Sequence, residues 1–228
     1  MSLSNNFPTV SPTLNLNFAA AGRLDSRVTF TRSSTATYVN QIGLIQSAAV
    51  NEPRFDYNPS TLAARGLLIE ESRTNLLTYS EDITQWSVSG GSRSSNTAVS
   101  PDGQTTADTY TQSSGGDYLY HSAAISSSTT YTLSVFLKAG TKTTARLWYA
   151  TGGIGTYVFI DINLSAGTIG SVGSGGGATA AAASIQAFGN GWYRVALTGN
   201  LGVNTVGYLV LGNDSTSGGV YIWGAQLE

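Results

Sequence analysis

The side chains that could carry out chemistry in this chain are few and widely spaced. His121 is the single histidine, and it lies between Tyr120 and Ser122 in a segment that alternates like a strand. A catalytic triad would need an activated serine beside this imidazole, and no Gly-x-Ser-x-Gly elbow lies near it. The chain has no cysteine, which excludes thiolate chemistry, disulfides and cysteine-held zinc.

Acidic residues give no clear catalytic pair either. Hydrolysis of a glycosidic bond needs two carboxylates that flank the bond. The tightest doublet is Glu70-Glu71, but neighbouring residues of a strand point to opposite faces of a sheet. We interpret this doublet as an exposed pair at a junction between two modules. The protein is therefore not expected to be an enzyme.

Aromatic side chains offer a different chemistry, because a sugar can stack its apolar C–H face on Trp or Tyr. We interpret Trp192 and Trp223 as structural core residues, and Trp86 as packing beneath the fold. Trp148 differs because Tyr149 follows it directly, so a regular strand turns one of these two rings outward. The candidate glycan-binding residues are Tyr118, Tyr120, His121, Trp148 and Tyr149. Packing of these aromatics against a neighbouring subunit is an equally weighted alternative.

The low content of charged residues excludes some classes of binding partner. Charged residues make up only 11% of the chain, against roughly 25% in ordinary soluble domains. The formal net charge is −2 and the Lys and Arg residues are scattered, so no basic stripe could neutralise phosphates. We therefore expect no nucleic-acid partner. The N-terminal segment has no signal-peptide pattern and no apolar run could cross a bilayer, so we expect no membrane insertion.

Strand signals dominate the chain from about residue 75 onwards. Short runs rich in Val, Tyr, Thr and Trp are separated by Gly, Ser, Asn and Pro turns, which is typical of an antiparallel sandwich. In the segment 130–139, Leu133, Val135 and Leu137 face one way and Phe136 faces the other. The predicted fold is all-β, an antiparallel jelly-roll β-sandwich. Its predicted strands are Thr105–Thr111, Asp117–Ala123, Thr130–Ala139, Thr143–Ala150, Thr156–Ile162, Trp192–Gly199, Thr205–Gly212 and Gly219–Leu227.

The N-terminal part has weaker signals and is predicted to be a small β-rich docking module. We expect an extended arm over residues 1–21 that ends in a strand at 14–18. Further predicted elements are a strand at 27–32 that continues through 33–39, a turn at 40–43, a second strand at 44–45, and a buried strand at 67–70. The glycine- and alanine-rich segment 171–184 is predicted to be a loop, with a helix at 180–184 as the less favoured alternative. The domain prediction is an arm and docking module over 1–65, a junction over 66–77, and the sandwich over 78–228.

Several segments resemble, in their order along the chain, parts of tailed-phage and prophage virion proteins. The run Arg65–Leu77 resembles a segment common in these proteins, and pieces further on resemble the jelly roll of phage head spikes and tail fibres. That jelly roll is itself similar to the carbohydrate-binding modules of glycanases. The resemblance extends from about Phe30 to the last residue. Its other pieces are 30–38, 49–57, 75–77 with 79–82 and Trp86, 101–103 with 106–108, 131–135 with 138–140, 191–195 and 221–228.

The resemblance implies a candidate metal site. Sugar-binding jelly rolls often hold a structural calcium ion between their first and last strands, with carboxylates and backbone carbonyls as ligands. Glu81, Asp82 and Glu228 lie near these two ends of the predicted sandwich. They are the candidate calcium ligands.

The resemblance also implies a function. It predicts a phage virion structural protein (head spike, fibre or tail-associated) that is made in the bacterial cytoplasm and reaches the outside within the particle. Residues 1–65 would attach to other virion proteins, and the sandwich would be presented to host surface polysaccharide, with the chain forming a homo-oligomer. Two alternatives stay open, which are a capsid decoration protein that binds no glycan and, less favoured, a capsule depolymerase.

Overall fold

The computed structural model describes residues 16–228, which form two compact units. The first unit extends to Glu70 and the second comprises Glu71–Glu228. The division falls inside the segment 66–77 that the sequence assigns to a junction. Within the described range, no helix is long and apolar enough to span a bilayer.

From residue 16 onwards, the first unit contains one helical turn and two hairpins. The turn is α1 (Phe18–Ala21), capped by the Asn17 side chain, and the hairpins are β1 (Ala36–Val39) with β2 (Ile45–Ala48) and β3 (Phe55–Tyr57) with β4 (Ala64–Leu67). In the β1–β2 turn, the Asn40 side chain accepts hydrogen bonds from the backbone N–H groups of Ile42 and Leu44. The predicted turn at 40–43 is present, with a strand on each side of it.

Three other predictions for the first unit are wrong or fall partly outside the described residues. Residues 27–32 form no strand, because the backbone N–H of Arg32 bonds to the Asn51 side chain instead of to a sheet. Residues 67–70 form no buried strand, since β4 ends at Leu67 and Ile69 is 79% exposed. Of the predicted arm and strand at its end, residues 1–15 lie outside the described residues, and Phe18 begins a helix.

Arginine side chains hold the first unit together in place of a large core. Its described part buries few apolar side chains, among them Val39 and Ala48. The Arg32 guanidinium donates hydrogen bonds to backbone carbonyls of residues 34, 48, 49 and 52. Arg54 is 4% exposed and donates to the Thr37 carbonyl and the Glu70 carboxylate. A planar guanidinium has five donors, so one such residue can satisfy several loop carbonyls in a small module.

The second unit is a sandwich of two six-stranded sheets. We call them the front sheet, ordered β12-β11-β10-β15-β8-β5, and the back sheet, ordered β13-β14-β9-β16-β7-β6. All strand pairs are antiparallel. The strands are β5 (Ser87–Ser89), β6 (Ser92–Ala98), β7 (Ala107–Gln112), β8 (Tyr118–Ala124), β9 (Thr130–Ala139), β10 (Thr144–Ala150), β11 (Tyr157–Asn163), β12 (Thr168–Gly175), β13 (Thr179–Ala187), β14 (Trp192–Asn200), β15 (Val206–Gly212) and β16 (Gly218–Leu227).

The strand order is that of a jelly roll. The central four strands of the back sheet, β7-β16-β9-β14, and the front-sheet strands β8-β15-β10-β11 together reproduce the two interleaved Greek keys of that fold. The predicted fold class is therefore confirmed. The eight predicted strands are these eight, with each end placed within two residues.

The strands that the sequence did not predict flank this eight-stranded centre. They are β5, β6, β12 and β13, and each lies at an outer position of its sheet. The prediction of a loop over 171–184 is wrong, because this segment forms most of β12 and the first part of β13. Its glycines and alanines carry little strand propensity of their own, so pairing with β11 and β14 determines their conformation.

The core lies between the two sheets, where Leu133, Val135 and Leu137 are fully buried. Trp86 also belongs to this core, as predicted. Trp192 and Trp223 are buried but lie on the outer face of the back sheet. There the Trp192 Nε1–H donates to the Val99 carbonyl and the Trp223 Nε1–H donates to the Thr106 hydroxyl. Their predicted structural role is confirmed, with the segment 99–106 as their partner.

Hydrogen bonds of the Asn75 side chain connect the start of the sandwich to its last strand, β16. Its amide nitrogen donates to the Ser80 hydroxyl at 2.7 Å and to the Ala225 carbonyl at 3.0 Å. Its amide oxygen accepts from the backbone N–H groups of Leu77 and Leu227. The four bonds use both N–H donors and both acceptor positions of the amide, and no other side chain of this size offers this combination.

Replacement of Asn75 by Ala is expected to lower the free energy of unfolding of the second unit by about 2 kcal/mol, because partly buried backbone groups lose their partners. The measurement is urea unfolding followed by tryptophan fluorescence, since all four tryptophans lie in this unit. Thr74→Ala, at an exposed neighbouring position, is the control and should change the value by less than about 0.5 kcal/mol. Equal effects of the two variants would contradict the assigned role of Asn75.

Candidate functional site

The outer face of the front sheet carries a continuous group of aromatic rings. Side chains of a strand point alternately to the two faces of its sheet, so every second residue of four front-sheet strands lies on this face. The rings pack around a small cluster of Trp148, Ala150 and Val210. We call this surface the aromatic face; it consists of Tyr118, Tyr120, Trp148, Tyr157, Phe159 and Tyr208.

The rings contact one another in two groups. On one side, the Trp148 ring centroid lies 5.1 Å from those of Tyr157 and Phe159. On the other side, Tyr120 lies 5.6 Å from Tyr118 and 6.1 Å from Tyr208. Trp148 is only 7% exposed and its Nε1–H donates to a backbone carbonyl at 3.0 Å. The Trp148 ring is therefore a buried, fixed part of the aromatic face, and the half-exposed tyrosines form the surface that a ligand can reach.

A cavity opens beside the tyrosines. It has a volume of about 200 Å³ and lies between the ring side chains and the segment 151–154 that follows β10. Within this segment the Thr151 hydroxyl accepts a hydrogen bond from the Thr156 backbone N–H, which closes the loop. Apolar ring surfaces beside phenol and threonine hydroxyls make a concave site that can stack a sugar ring and bond its hydroxyls. The lining residues are Tyr118, Tyr120, Thr151, Gly152, Gly153, Ile154, Tyr208 and Val210.

Glycines of β12 create the space for two of the rings. A Cβ atom on Gly173 would lie 2.5 Å from the Phe159 ring, and one on Gly175 would lie 2.7 Å from the Tyr157 ring. Both rings therefore lie against the bare backbone of the neighbouring strand, an arrangement that only glycine allows at these positions. The glycine-rich composition of this segment is a requirement of the aromatic face.

The charges at the aromatic face are paired. The Arg146 guanidinium lies 5.3 Å from the Trp148 ring centroid and 4.7 Å from that of Phe159. It also donates to the Asp161 carboxylate, with 2.8 Å between Nη2 and Oδ2. The hydrogen bond with Asp161 raises the pKa of Arg146 above its ordinary value. Since the cation is already paired, this face presents rings and hydroxyls without a free charge to a ligand.

The structure brings together three of the five residues that the sequence assigned to a ligand face. Tyr118, Tyr120 and Trp148 share the aromatic face. Tyr149 is fully buried in the core and His121 packs on the inner side of the front sheet, so neither lies on that face. The reason is alternation, because each of the two directly follows an aromatic residue that points outward. Grouping adjacent residues as one face was therefore wrong, and the role of the aromatic face in glycan binding stays a prediction.

Three residues of the aromatic face were not among the site residues predicted from the sequence. Tyr157 and Phe159 stand two positions apart in a predicted strand, and that spacing was a usable signal for a shared face. Tyr208 gave no such signal. It reaches the face only because β15 inserts between β8 and β10 in the jelly roll.

His121 packs against Trp86 at the inner edge of the front sheet. The two rings are nearly parallel, with centroids 5.3 Å apart and an interplanar angle of 12°. The His121 Nε2 atom lies 2.9 Å from the Thr78 hydroxyl, and the Tyr79 ring meets the imidazole edge-on. Burial lowers the pKa of His121 below its ordinary value. These contacts indicate a neutral histidine in a structural role.

The three residues proposed as calcium ligands lie in separate environments. Asp82 caps the short 3-10 turn Ile83–Gln85, and its hydrogen bond with Thr84 lowers the pKa of its carboxyl. Burial raises the pKa of Glu81, while the Glu228 backbone pairs with Thr132. Among residues 16–228 no three acidic or histidine side chains gather in a way that could hold a metal ion. The structure therefore does not bring the predicted ligand set together.

Titration of His121 is expected to contribute to the pH dependence of stability. Its folded pKa is lower than its unfolded value of about 6.5, so the unfolded chain binds more protons and stability falls as pH decreases through that value. Between about pH 7.5 and about pH 5, the unfolding temperature should fall more in the natural protein than in His121→Gln, as measured by calorimetry. The carboxyls of Glu81 and Asp108, whose pKa values are also shifted, titrate in both proteins and cancel in this comparison. Identical pH dependence of the two would contradict a neutral, half-buried imidazole.

Comparison with known proteins gives limited information. No family model and no curated protein matches the chain. Among solved structures, it is similar to the enzymatically active domain of bacteriophage CBA120 tailspike protein 4, with 13% identity and a TM-score of 0.40 over 67% of this chain. The match spans only 21% of that tailspike structure. It is also similar to TmCBM61 in complex with β-1,4-galactotriose, with 12% identity and a TM-score of 0.42 over 68% of this chain and 99% of that one. Likeness this low gives no evidence of a shared ligand.

Proposed function

We propose that the second unit is a binding module for a neutral glycan, which it holds on the aromatic face without cleaving it. The observation that supports this proposal is the combination of half-exposed tyrosines with a cavity of about 200 Å³ lined by rings and hydroxyls. A pyranose offers apolar C–H groups on its faces and hydroxyls at its rim, and this surface complements both. Because Arg146 is paired with Asp161, an acidic sugar would find no free cation here.

The proposal places this module on the particle of a tailed phage. Residues 1–65 would attach to other virion proteins, and the sandwich would face the host surface polysaccharide. The support for this part is the ordered series of segments from Phe30 to Glu228 that resemble virion proteins. Its test is labelling of intact particles with an antibody against the second unit. Particles that carry the chain but bind no glycan would favour the capsid decoration alternative, and release of reducing ends would favour a depolymerase.

Loss of one half-buried tyrosine of the aromatic face is expected to weaken glycan binding. Tyr120→Ala and Tyr208→Ala should each reduce the affinity about tenfold or more, about 1.4 kcal/mol, because each removes one wall of the cavity. The probe is a neutral oligosaccharide selected on a glycan array with the natural protein, and the affinity is measured by titration calorimetry. The matched control is Tyr221→Ala, which removes a half-buried tyrosine from the back sheet. Equal loss in all three variants, or no glycan binding at all, would overturn the proposal.

A larger side chain at Gly173, next to the Phe159 ring, is also expected to weaken glycan binding at the aromatic face. A Cβ atom on Gly173 forces the ring to move, so Gly173→Ala should weaken binding of the same oligosaccharide about fivefold while the sheet remains intact. The matched control is Gly189→Ala, where a Cβ atom meets nothing within 4 Å. Unchanged affinity in Gly173→Ala would mean that the ligand does not reach the Tyr157–Phe159 side of the face.

A further inference from the structure

The cavity beside the tyrosines is one part of the aromatic face, and the rings around Trp148 are another. The residues that line the cavity include Tyr208 but not Trp148 or its two ring partners. The two parts are neighbours in the front sheet, because Tyr208 pairs with Ala150 and Ala150 pairs with Tyr157. The backbones of the two tyrosines are therefore two strand spacings, about 10 Å, apart. Since the sheet is continuous here, residues outside the sheet form the boundary between the two parts.

The segment 151–154 forms this boundary. It follows β10 and returns towards the sheet, so that all four of its residues line the cavity. The half-buried side chain of Ile154 also packs against the cluster of buried residues around Trp148. Ile154 is therefore the side chain of this segment that contacts both the cavity and the base of the Trp148 group, and it forms a wall between them.

The backbone of Ile154 has a conformation that disfavours its side chain. The φ angle is 56°, in the left-handed region, where a β-branched residue is an outlier. Glycine fits this region without strain, as it does at Gly153, where φ is 70°. Two backbone hydrogen bonds hold the segment in place, from Ile154 N–H to the Thr151 carbonyl at 2.9 Å and from Thr151 N–H to the Thr156 carbonyl at 2.8 Å. Strain that is fixed in this way is concentrated at ligand sites, which indicates a role for the Ile154 side chain in the cavity.

The size and the walls of the cavity limit what it can hold. Its volume of about 200 Å³ is below the roughly 300–1,000 Å³ of sites for drug-sized ligands, so one sugar ring fills it. The tyrosine rings form one wall and Ile154 forms the other. A sugar residue within a chain continues in two directions and would have to cross both walls. A residue at the end of a chain has one exit and crosses only one.

We infer that the cavity binds the terminal sugar residue of a neutral glycan chain or branch, and that Ile154 determines this preference by excluding internal residues. The remainder of the chain leaves over Ile154 and continues along Tyr157 and Phe159, which gives the second group of rings a contact with the ligand. The inference rests on the proposed function and specifies which part of the glycan is recognised.

The test uses an array of neutral oligosaccharides in pairs, in which the same sugar residue lies at the end of one chain and inside the other. The natural protein should bind the first member of a pair about tenfold or more tightly than the second, because only a terminal residue fits between the walls. Ile154→Gly removes one wall and keeps the left-handed backbone, so it should reduce this ratio to about twofold. Titration calorimetry with the best-bound pair gives both affinities.

The matched control is Gly155→Ala in the same segment. Gly155 does not line the cavity, its φ is −75°, and a Cβ atom there meets only the Thr151 hydroxyl, at 3.9 Å. This variant should keep the preference of the natural protein. Circular dichroism checks that each variant folds. If Ile154→Gly does not, Ile154→Asn replaces it, because asparagine also tolerates the left-handed region and lacks the branched apolar side chain.

The possible failures are distinguishable. If the natural protein binds no neutral oligosaccharide of the array, the proposed function and this inference are both wrong. If it binds terminal and internal residues equally well, the inference is overturned and the proposed function stands. A terminal preference that is the same in Ile154→Gly as in the natural protein would also overturn the inference, because Ile154 would then not be the residue that excludes internal sugars.

Discussion

The alternation of side chains across the front sheet is the constraint on which the candidate site depends. One residue step along a strand moves a side chain from the solvent face to the core face. Trp148 therefore supports the aromatic face, whereas Tyr149 is fully buried in the core. In the same way Tyr120 points to the cavity and His121 stacks on Trp86. A shift of one residue in the pairing of β8 or β10 would bury the site and expose the core. The strand register therefore determines which side chains form the surface for a ligand.

Strand order is the second determinant, and it explains how much of the site could be predicted. The eight central strands carry their own signal, since Val, Leu, Tyr and Thr alternate in each of them, and their positions followed from the sequence. Which strands become neighbours depends on long-range pairing, and no local sequence pattern predicts this strand order. Tyr208 lies beside Tyr120 only because β15 pairs with β8. The aromatic residues of each strand were visible, but their assembly into one face was not.

The elements that sequence patterns missed share a physical reason. β12 and β13 consist largely of Gly, Ala and Ser, which have low strand propensity, and they form strands because a stronger partner strand offers its free edge. Gly173 and Gly175 are there because the Phe159 and Tyr157 rings occupy the space of their side chains. In the first unit the cause is different. The Arg32 guanidinium donates to the Ser34 carbonyl and to three carbonyls of residues 48–52, so its segment is held by side-chain contacts and forms no ladder.

Several of the few charged side chains are neutralised by ion pairs within their own unit. Lys142 and Asp214 form a buried ion pair at 2.7 Å, with side chains 5% and 7% exposed, and Gln112 accepts a third hydrogen bond from the ammonium group. Removal of one partner from such a pair costs about 3–5 kcal/mol because the other charge stays buried. Arg146 with Asp161 and Arg54 with Glu70 are likewise paired within their units. With only 11% charged residues, pairing of Arg146 with Asp161 leaves the aromatic face without a free charge. The surface offered to a ligand therefore consists of rings and hydroxyls.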